Sequence, residues 1–264
     1  MKKINLAITG CLGRMGQQVL EALCVEPDLT PAGGADLLSE SSTITLPDGS
    51  GTLKVSRSIA EAASGADVVI DFTNAEGALS VIKIASAMKV NVVIGSTGLS
   101  KDTYDEAEKL AYEHNIGIII APNFAVGAVL MAHLSKIAAR FFDYADLTEM
   151  HHESKIDSPS GTSLAIAKAI VEGKDGSFKS PVAHKEILSK TRGGVLDGVN
   201  IHSVRMPGKM ARHEVTFGAA GQTFSMAHDT INRECYMPGV LIALNAVTKL
   251  KGLIVGLENI LDLK

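Results

Sequence analysis

The chain has 264 residues, of which 46% are hydrophobic and 20% charged, and its formal net charge is −4. That balance excludes a disordered polypeptide and a general polyanion-binding surface, so nucleic acid is not an expected partner. Aromatic residues make up only 4% and Trp is absent, which removes the stacking platforms of single-strand binders.

From Ile4 to about Ala121, short β-branched runs alternate with longer helical ones. INLAIT precedes a helix expected over 14–25, DVVIDF one over 75–88 and NVVIG one over 101–114, and IGIIIA follows. Strands alternating with helices imply parallel pairing through right-handed crossovers. The unbroken apolar character of VVI and IIIA implies strands covered on both faces, hence a doubly wound sheet. A short strand is expected around Ala32–Ala35, and the Gly-, Ser- and Thr-rich stretch 39–52 reads as a surface loop.

After Ala121 the rhythm changes. A long helix is expected over 125–142, then the strand-like ADLTEMHH and a helix over 162–172. NIHSVR, HEVTFGA and TFSMAHD then alternate polar and apolar residues, the pattern of a sheet with one wet face. From Tyr236 the chain returns to helical character through PGVLIALNAVTKL and GLIVGLENILDL, a tail expected to pack back onto the first unit.

Cys11, Cys24 and Cys235 are odd in number and far apart, and the first residues run into a strand without a signal-peptide pattern. A reduced, cytoplasmic protein is expected. No apolar stretch approaches the roughly 20 residues that cross a bilayer, so no membrane partner is expected.

The first strand ends in Gly10-Cys11-Leu12-Gly13-Arg14-Met15-Gly16 and opens onto a helix. Glycines spaced three apart at such a turn let backbone approach a pyrophosphate, which the helix N-terminus stabilises. Leu12 stands where the common pattern has its second glycine. Twenty residues beyond Gly16, Asp36 is placed to accept hydrogen bonds from an adenosine ribose and to repel a 2′-phosphate. Leu37 and Leu38 supply no guanidinium, so NADH is favoured, with Arg14 leaving NADPH open. The turns Asp71-Phe72-Thr73, Gly95-Ser96-Thr97-Gly98 and Ala121-Pro122-Asn123-Phe124 follow later strands and would line the dinucleotide.

The densest chemistry lies in Glu149–Ser163, EMHHESKIDSPSGTS. His151 and His152 end a strand and would face opposite sides. Lys155 follows after a turn, Asp157 orients a base or caps the loop, and Ser158 or Ser160 caps the helix beginning near Thr162. The first N–H groups of that helix, at Gly161 and Thr162, lack intrahelical acceptors and suit a carboxylate. Taken singly, each is an ordinary turn, cap or core residue; their coincidence within twelve residues points to a site. No metal is expected. Adjacent histidines do not converge on one ion, no i, i+4 pair is present, and Lys155 would repel a cation. Cys11 has no general base near it in sequence and is not a nucleophile, and the remaining histidines, His213 among them, read as structural or exposed.

The Gly-Arg-Met-Gly loop ending, Asp71-Phe72-Thr73, Gly95-Ser96-Thr97-Gly98, Asn123-Phe124 and above all His151-His152-x-x-Lys155-x-Asp157-x-Pro159-Ser160-Gly161-Thr162 resemble the dihydrodipicolinate reductase (4-hydroxy-tetrahydrodipicolinate reductase) family across nearly the whole chain. The resemblance implies an α/β chain with a Rossmann-like dinucleotide-binding domain, 1–123 and 233–264. It also implies a mixed α+β substrate and oligomerisation domain, 124–232, with a largely open sheet, hinges near Asn123 and Arg233, and a homotetramer. The implied reaction is NAD(P)H-dependent reduction of the conjugated ring left when 4-hydroxy-tetrahydrodipicolinate loses water, giving tetrahydrodipicolinate in lysine biosynthesis. By position, His151 would be proton donor or acceptor and Lys155 a second proton donor. His152, Lys155, Ser160, Gly161 and Thr162 would hold the dicarboxylate. Gly10 to Met15, Asp36, Phe72, Thr73, Gly95 to Thr97, Ala121 to Phe124 and Arg233 would contact the cofactor. The family's Arg after the ribose acid is here Leu37, and Ser replaces Ala before Pro159 and at Ser163. Another amino-acid or imino-acid dehydrogenase of similar architecture and an NAD(H)-sensing regulatory module are the competing readings.

Overall fold

The computed structural model describes residues 3–181, 184, 185 and 187–263. The chain divides into two compact units, one running to Phe124 and resuming over Tyr236–Asp262, the other spanning Ala125–Cys235.

The first unit opens with β1 (Ile4–Thr9), α1 (Arg14–Val25), β2 (Leu29–Ala35), β3 (Thr43–Thr45), β4 (Thr52–Ser56) and α2 (Ile59–Ala62). It continues through β5 (Val68–Asp71), α3 (Ala75–Ala87), β6 (Asn91–Ile94), α4 (Lys101–His114) and β7 (Gly117–Ile120). Local signals set the helix ends. The Asn74 side chain accepts the Gly77 N–H at the start of α3, Ser100 accepts that of Thr103 at the start of α4, and Asn115 closes α4 in the left-handed region.

Every residue of β5 and β7 is buried. Val69, Val92, Ile94, Ile118 and Ile120 pack with Val81 and Ile82 of α3 and with Leu110 of α4 in one core. Burial on both faces is why these strands carry no polar alternation.

The second unit comprises α5 (Val126–Ala138), β8 (Tyr144–His151), α6 (Gly161–Gly173), β9 (Gly194–Leu196), β10 (Val199–Arg205), β11 (Ala211–Ala219) and β12 (Gln222–Thr230). Its sheet runs β12-β11-β8-β10-β9, with β8 and β10 parallel and the other pairs antiparallel. Along β8, buried Ala145, Leu147, Glu149 and His151 alternate with more exposed Tyr144, Asp146, Thr148 and Met150. Leu147 packs with Ile166 and Ile170 of α6 and with Val215 and Phe217 of β11. The buried side of the sheet is thus its helix-covered side.

The chain then adds α7 (Met237–Val247) and β13 (Gly252–Val255) to the first unit. The eight strands there run β13-β7-β6-β5-β1-β2-β4-β3, parallel throughout except for the β3–β4 hairpin.

Three local expectations change. The segment GLIV, expected as helix, is β13 and pairs with β7 through Leu253↔Ile118; a four-residue apolar run fits either period, and an open sheet edge decides it. The stretch 39–52 holds β3, which pairs with β4 through Ile44↔Leu53. The helix expected over 125–142 ends at Ala138, tightens into a 3₁₀ turn over Ala139–Phe141 and gives way at Phe142.

Candidate active site

In a doubly wound sheet the order reverses where crossovers change direction, and ligands bind beside that point at the carboxyl ends of strands. Here the reversal lies between β1 and β5. The loops at Gly10–Gly16, Phe72–Thr73, Gly95–Thr97 and Ala121–Phe124 follow β1, β5, β6 and β7, and Asp36 follows β2. One edge of one sheet therefore gathers the cofactor residues expected in this unit. Arg233, the other residue expected there, lies in a 3₁₀ turn of the second unit.

Gly10 has φ +73, a conformation that strains any side chain, and a Cβ there would lie 2.9 Å from the Phe72 carbonyl oxygen. A Cβ on Gly16 would strike the backbone of Gly10 and Cys11, so only glycine lets α1 start this close to the turn. Gly13 caps α1 without a side-chain hydrogen bond, and no acid occupies the first turn. A bare, positively polarised helix start beside a cradle that side chains would fill fits a dinucleotide pyrophosphate.

Asp36 accepts the Leu12 N–H through Oδ2 and the Leu38 N–H through Oδ1, each at 3.0 Å. The acid is thereby fixed against the Gly-rich loop while each oxygen keeps a lone pair for a ribose hydroxyl. Leu37 beside it is 78% exposed. Burial and the Asp36 charge push the Cys11 thiol up to about 11, so it stays a thiol at neutral pH.

Asp71 carries a function that sequence reading did not assign to it. Wholly buried at the end of β5, it accepts hydrogen bonds from the hydroxyls of Thr9 (2.7 Å), Thr73 (2.7 Å) and Ser96 (2.6 Å). It pins the ends of β1, β5 and β6 together at the reversal point. Burial raises its pKa, and the Ser96, Thr73 and Thr9 hydroxyls oppose that rise. Asp71→Ala leaves the buried Ser96 hydroxyl without its acceptor and the buried Thr9 hydroxyl with only its longer bond to the Ile70 carbonyl, at about 1–3 kcal/mol for each group left unpaired in the interior, whereas the exposed Thr73 hydroxyl turns to water. Urea denaturation should show a loss of about 2 kcal/mol.

In the second unit, β8 ends at His151, which is 7% exposed. His151 Nδ1 bonds Glu149 Oε2, and the His213 ring packs edge-on against His151 with the ring centroids 5.4 Å apart. Glu149 Oε1 meets Arg205 Nη2 at 2.8 Å. His152, past the strand end, bonds Ser154 Oγ through Nδ1 at 2.8 Å. Lys155 Nζ lies 2.6 Å from Asp157 Oδ1, so Asp157 serves Lys155 rather than a histidine.

Ser160, not Ser158, caps α6, and its Oγ accepts the Ser163 N–H at 3.1 Å. The same hydroxyl lies 3.3 Å from His213 Nε2, which ties the helix start to β11. Gly161 and Thr162 open the helix beyond it.

The charges in this cluster follow from burial and pairing. Burial lowers the His151 pKa, Glu149 pulls it up, and Lys155 and Arg205 push it down, for a net lowering. Burial raises Glu149, but hydrogen bonds from Arg205 and Ser203 and the His151 contact outweigh it, so the carboxylate is favoured. The Lys155 hydrogen bond holds Asp157 below the usual carboxylate range. Burial, then the neighbouring His151, brings His213 down to about 4. A neutral imidazole flanked by buried ion pairs and a helix start can exchange a proton and seat an anion. No group of three or more metal-ligating side chains occurs among the described residues.

Two family models match the chain: "Dihydrodipicolinate reductase, N-terminus" over residues 4–124 and "Dihydrodipicolinate reductase, C-terminus" over 127–261. The chain belongs to the dihydrodipicolinate reductase family. A relative named 4-hydroxy-tetrahydrodipicolinate reductase in Dehalococcoides mccartyi is 46% identical over 265 residues, covering 100% of both chains. One of the same name in Desulfitobacterium hafniense is 37% identical, covering 99% of this chain and 100% of that one. Among solved structures, a dipicolinate-bound dihydrodipicolinate reductase from Paenisporosarcina sp. TG-14 is 33% identical with a TM-score of 0.86, covering 97% of this chain and 99% of that one. A probable dehydrogenase from Thermotoga maritima, 12% identical with a TM-score of 0.68, shares the fold alone. As a dihydrodipicolinate reductase family member, the chain is an oxidoreductase that uses a nicotinamide dinucleotide to reduce 4-hydroxy-tetrahydrodipicolinate on the diaminopimelate route to lysine.

Proposed function

We propose that the β8–α6 cluster is the proton-transfer and dicarboxylate site of this reduction, with NADH the favoured reductant. When bound, the reduced nicotinamide supplies a hydride. The chain's own residues then hold the conjugated ring left after water departs and deliver the proton that completes tetrahydrodipicolinate. His151 is the proton donor or acceptor, and Lys155 is the second donor, held in place by Asp157. Ser160 sets the start of α6 so that Gly161 and Thr162, with His152 and Lys155, hold the carboxylates.

The observation that carries this reading is the conjunction, in one cluster, of a buried imidazole bonded to a carboxylate and a lysine ion-paired beside a capped helix start. The dipicolinate held by the Paenisporosarcina relative, a planar dicarboxylate, supports it. We place the enzyme in the cytoplasm, in keeping with its three free cysteines, and infer a homotetramer built on the open face of the second-unit sheet.

The test is turnover of freshly generated substrate with NADH and NADPH in parallel; no turnover with either overturns the reading. Gly10 to Met15 cradle the pyrophosphate, and Asp36 reads the ribose hydroxyls with no guanidinium at Leu37 to hold a 2′-phosphate. The Phe72–Thr73, Gly95–Thr97 and Ala121–Phe124 loops, with Arg233, complete the nucleotide contacts. Leu37→Arg should therefore shift the NADPH/NADH ratio of kcat/KM upward by about tenfold, the effect of one added charge-assisted contact of roughly 1.4 kcal/mol. An unchanged ratio would show that this position does not read the ribose.

A further inference from the structure

The alternation of β8 puts Glu149 on the same face as His151, where the other buried positions are Ala145 and Leu147. Packing there calls for an apolar side chain. A wholly buried carboxylate is costly unless it is paired, and Glu149 has a hydrogen bond on one oxygen and an ion pair, without a hydrogen bond, on the other. Its Oε2 bonds His151 Nδ1, and its Oε1 meets Arg205 Nη2 at 2.8 Å.

Arg205 is the last residue of β10 and lies opposite His151 in the parallel register. Its Nη1 donates to the Val204 carbonyl at 2.8 Å, and its Nη2 donates to the Asp157 carbonyl at 2.6 Å. Asp157 in turn holds Lys155. The contacts form one line: His151, Glu149, Arg205, Asp157, Lys155.

We propose that Glu149 and Arg205 are a positioning pair that fixes the two proton-transfer residues as one unit, Glu149 setting the tautomer of His151 and Arg205 anchoring both Glu149 and the loop that carries Lys155. The proposal rests on the roles given above to His151 and Lys155. Because Glu149 is an acceptor, His151 Nδ1 carries the hydrogen and Nε2 is left to exchange a proton with the ring. As His151 gains a proton, the Glu149 carboxylate stabilises the imidazolium that forms, much as a buried acid does behind a catalytic histidine.

The charged and titratable groups facing His151 are Glu149 on its own strand, Arg205 from β10, His213 from β11 and Lys155 from the following loop. Only Glu149 favours the imidazolium. Where protonated His151 is the donor, activity is lost as pH rises through its pKa. Glu149→Gln removes the upward pull, so that loss moves to lower pH.

The test combines kinetics across pH with ¹⁵N spectroscopy of the full chain labelled at histidine. Glu149→Gln is expected to lower kcat by on the order of 10²-fold, with the Kd for dipicolinate and the KM for NADH within about threefold. Combined with His151→Gln, it should cost no more than His151→Gln alone, as befits residues acting as a unit. In the unaltered enzyme at pH 7.5, His151 should show a protonated Nδ1 and a bare Nε2, a readout that needs no variant to fold. The opposite tautomer overturns the proposal. So does a Glu149→Gln enzyme with unaltered kcat and pH profile while His151→Gln is inactive, an outcome that leaves the assigned function standing. If His151→Gln itself retains full turnover, the assignment of His151 falls and the positioning role falls with it.

Discussion

His151→Gln and Lys155→Ala are each expected to lower turnover by on the order of 10² to 10⁴-fold, the range of a positioned proton-transfer group, while leaving NADH affinity intact. The physical ground is the division of work. The loops proposed to hold the nucleotide lie at the carboxyl ends of β1, β2, β5, β6 and β7, whereas both proposed proton-transfer residues belong to the β8–α6 segment of the other unit. Gln at 151 keeps a polar group of similar reach but cannot take up and release a proton near neutrality. Ala at 155 removes the cation and leaves Asp157 without the hydrogen bond that holds its pKa down. Lys155→Ala should therefore also weaken dicarboxylate binding, whereas His151→Gln should act mainly on kcat. Steady-state kinetics with NADH titration and dipicolinate binding separate these effects. An NAD(H)-sensing module would bind the nucleotide and survive both changes, so full activity in both variants would sink the enzymatic assignment of this cluster.

The second large effect is on stability in mild acid. His213 is 3% exposed, with a pKa brought down to about 4 by burial and by the neighbouring His151. In the unfolded chain a histidine titrates near 6.5. Between those values the unfolded state binds the extra proton, so stability rises with pH across the window and is lost as pH falls through it. A depression of about 2.5 units at roughly 1.4 kcal/mol per unit amounts to about 3 kcal/mol between pH 7 and pH 4. His151 and His228 are lowered as well and add to the same slope.

The lowered carboxylates Glu149 and Asp157 titrate in the same direction, so the comparison has to be between chains. His213→Gln should lower stability at pH 7 and flatten the slope from pH 7 to 4. Urea midpoints at fixed protein concentration measure both. A variant that keeps the full slope would show that His213 does not carry it.

Much of the fold was legible because one physical pattern repeats. A helix capped by Asn74 or Ser100 between fully apolar strands points to a parallel sheet covered by helices, and the glycine-rich Gly10–Gly16 turn after β1 points to a doubly wound one. GLIV was not legible, because four apolar residues satisfy both helix and strand and the unpaired edge of β7 made the choice. The β3–β4 hairpin lay hidden in a stretch rich in turn residues.

At the candidate site, period-two alternation from His151 back to Glu149 was present in the sequence and was the signal for the buried acid. Nothing local marked Arg205, His213 or the convergence of Thr9 and Ser96 on Asp71, which are separated by tens of residues.

The sequence by itself determined the family and the chemistry and pointed to the segments proposed to perform it, because glycine spacing, caps and the His-His-x-x-Lys string act within a few residues of chain. Only the tertiary structure decided which acid serves which base. Asp157 goes to Lys155 and Glu149 to His151, with Arg205 linking the two. Such pairing depends on strand register, and register is fixed by the packing of Leu147, Val215 and Phe217 against α6, not by the residues that do the pairing.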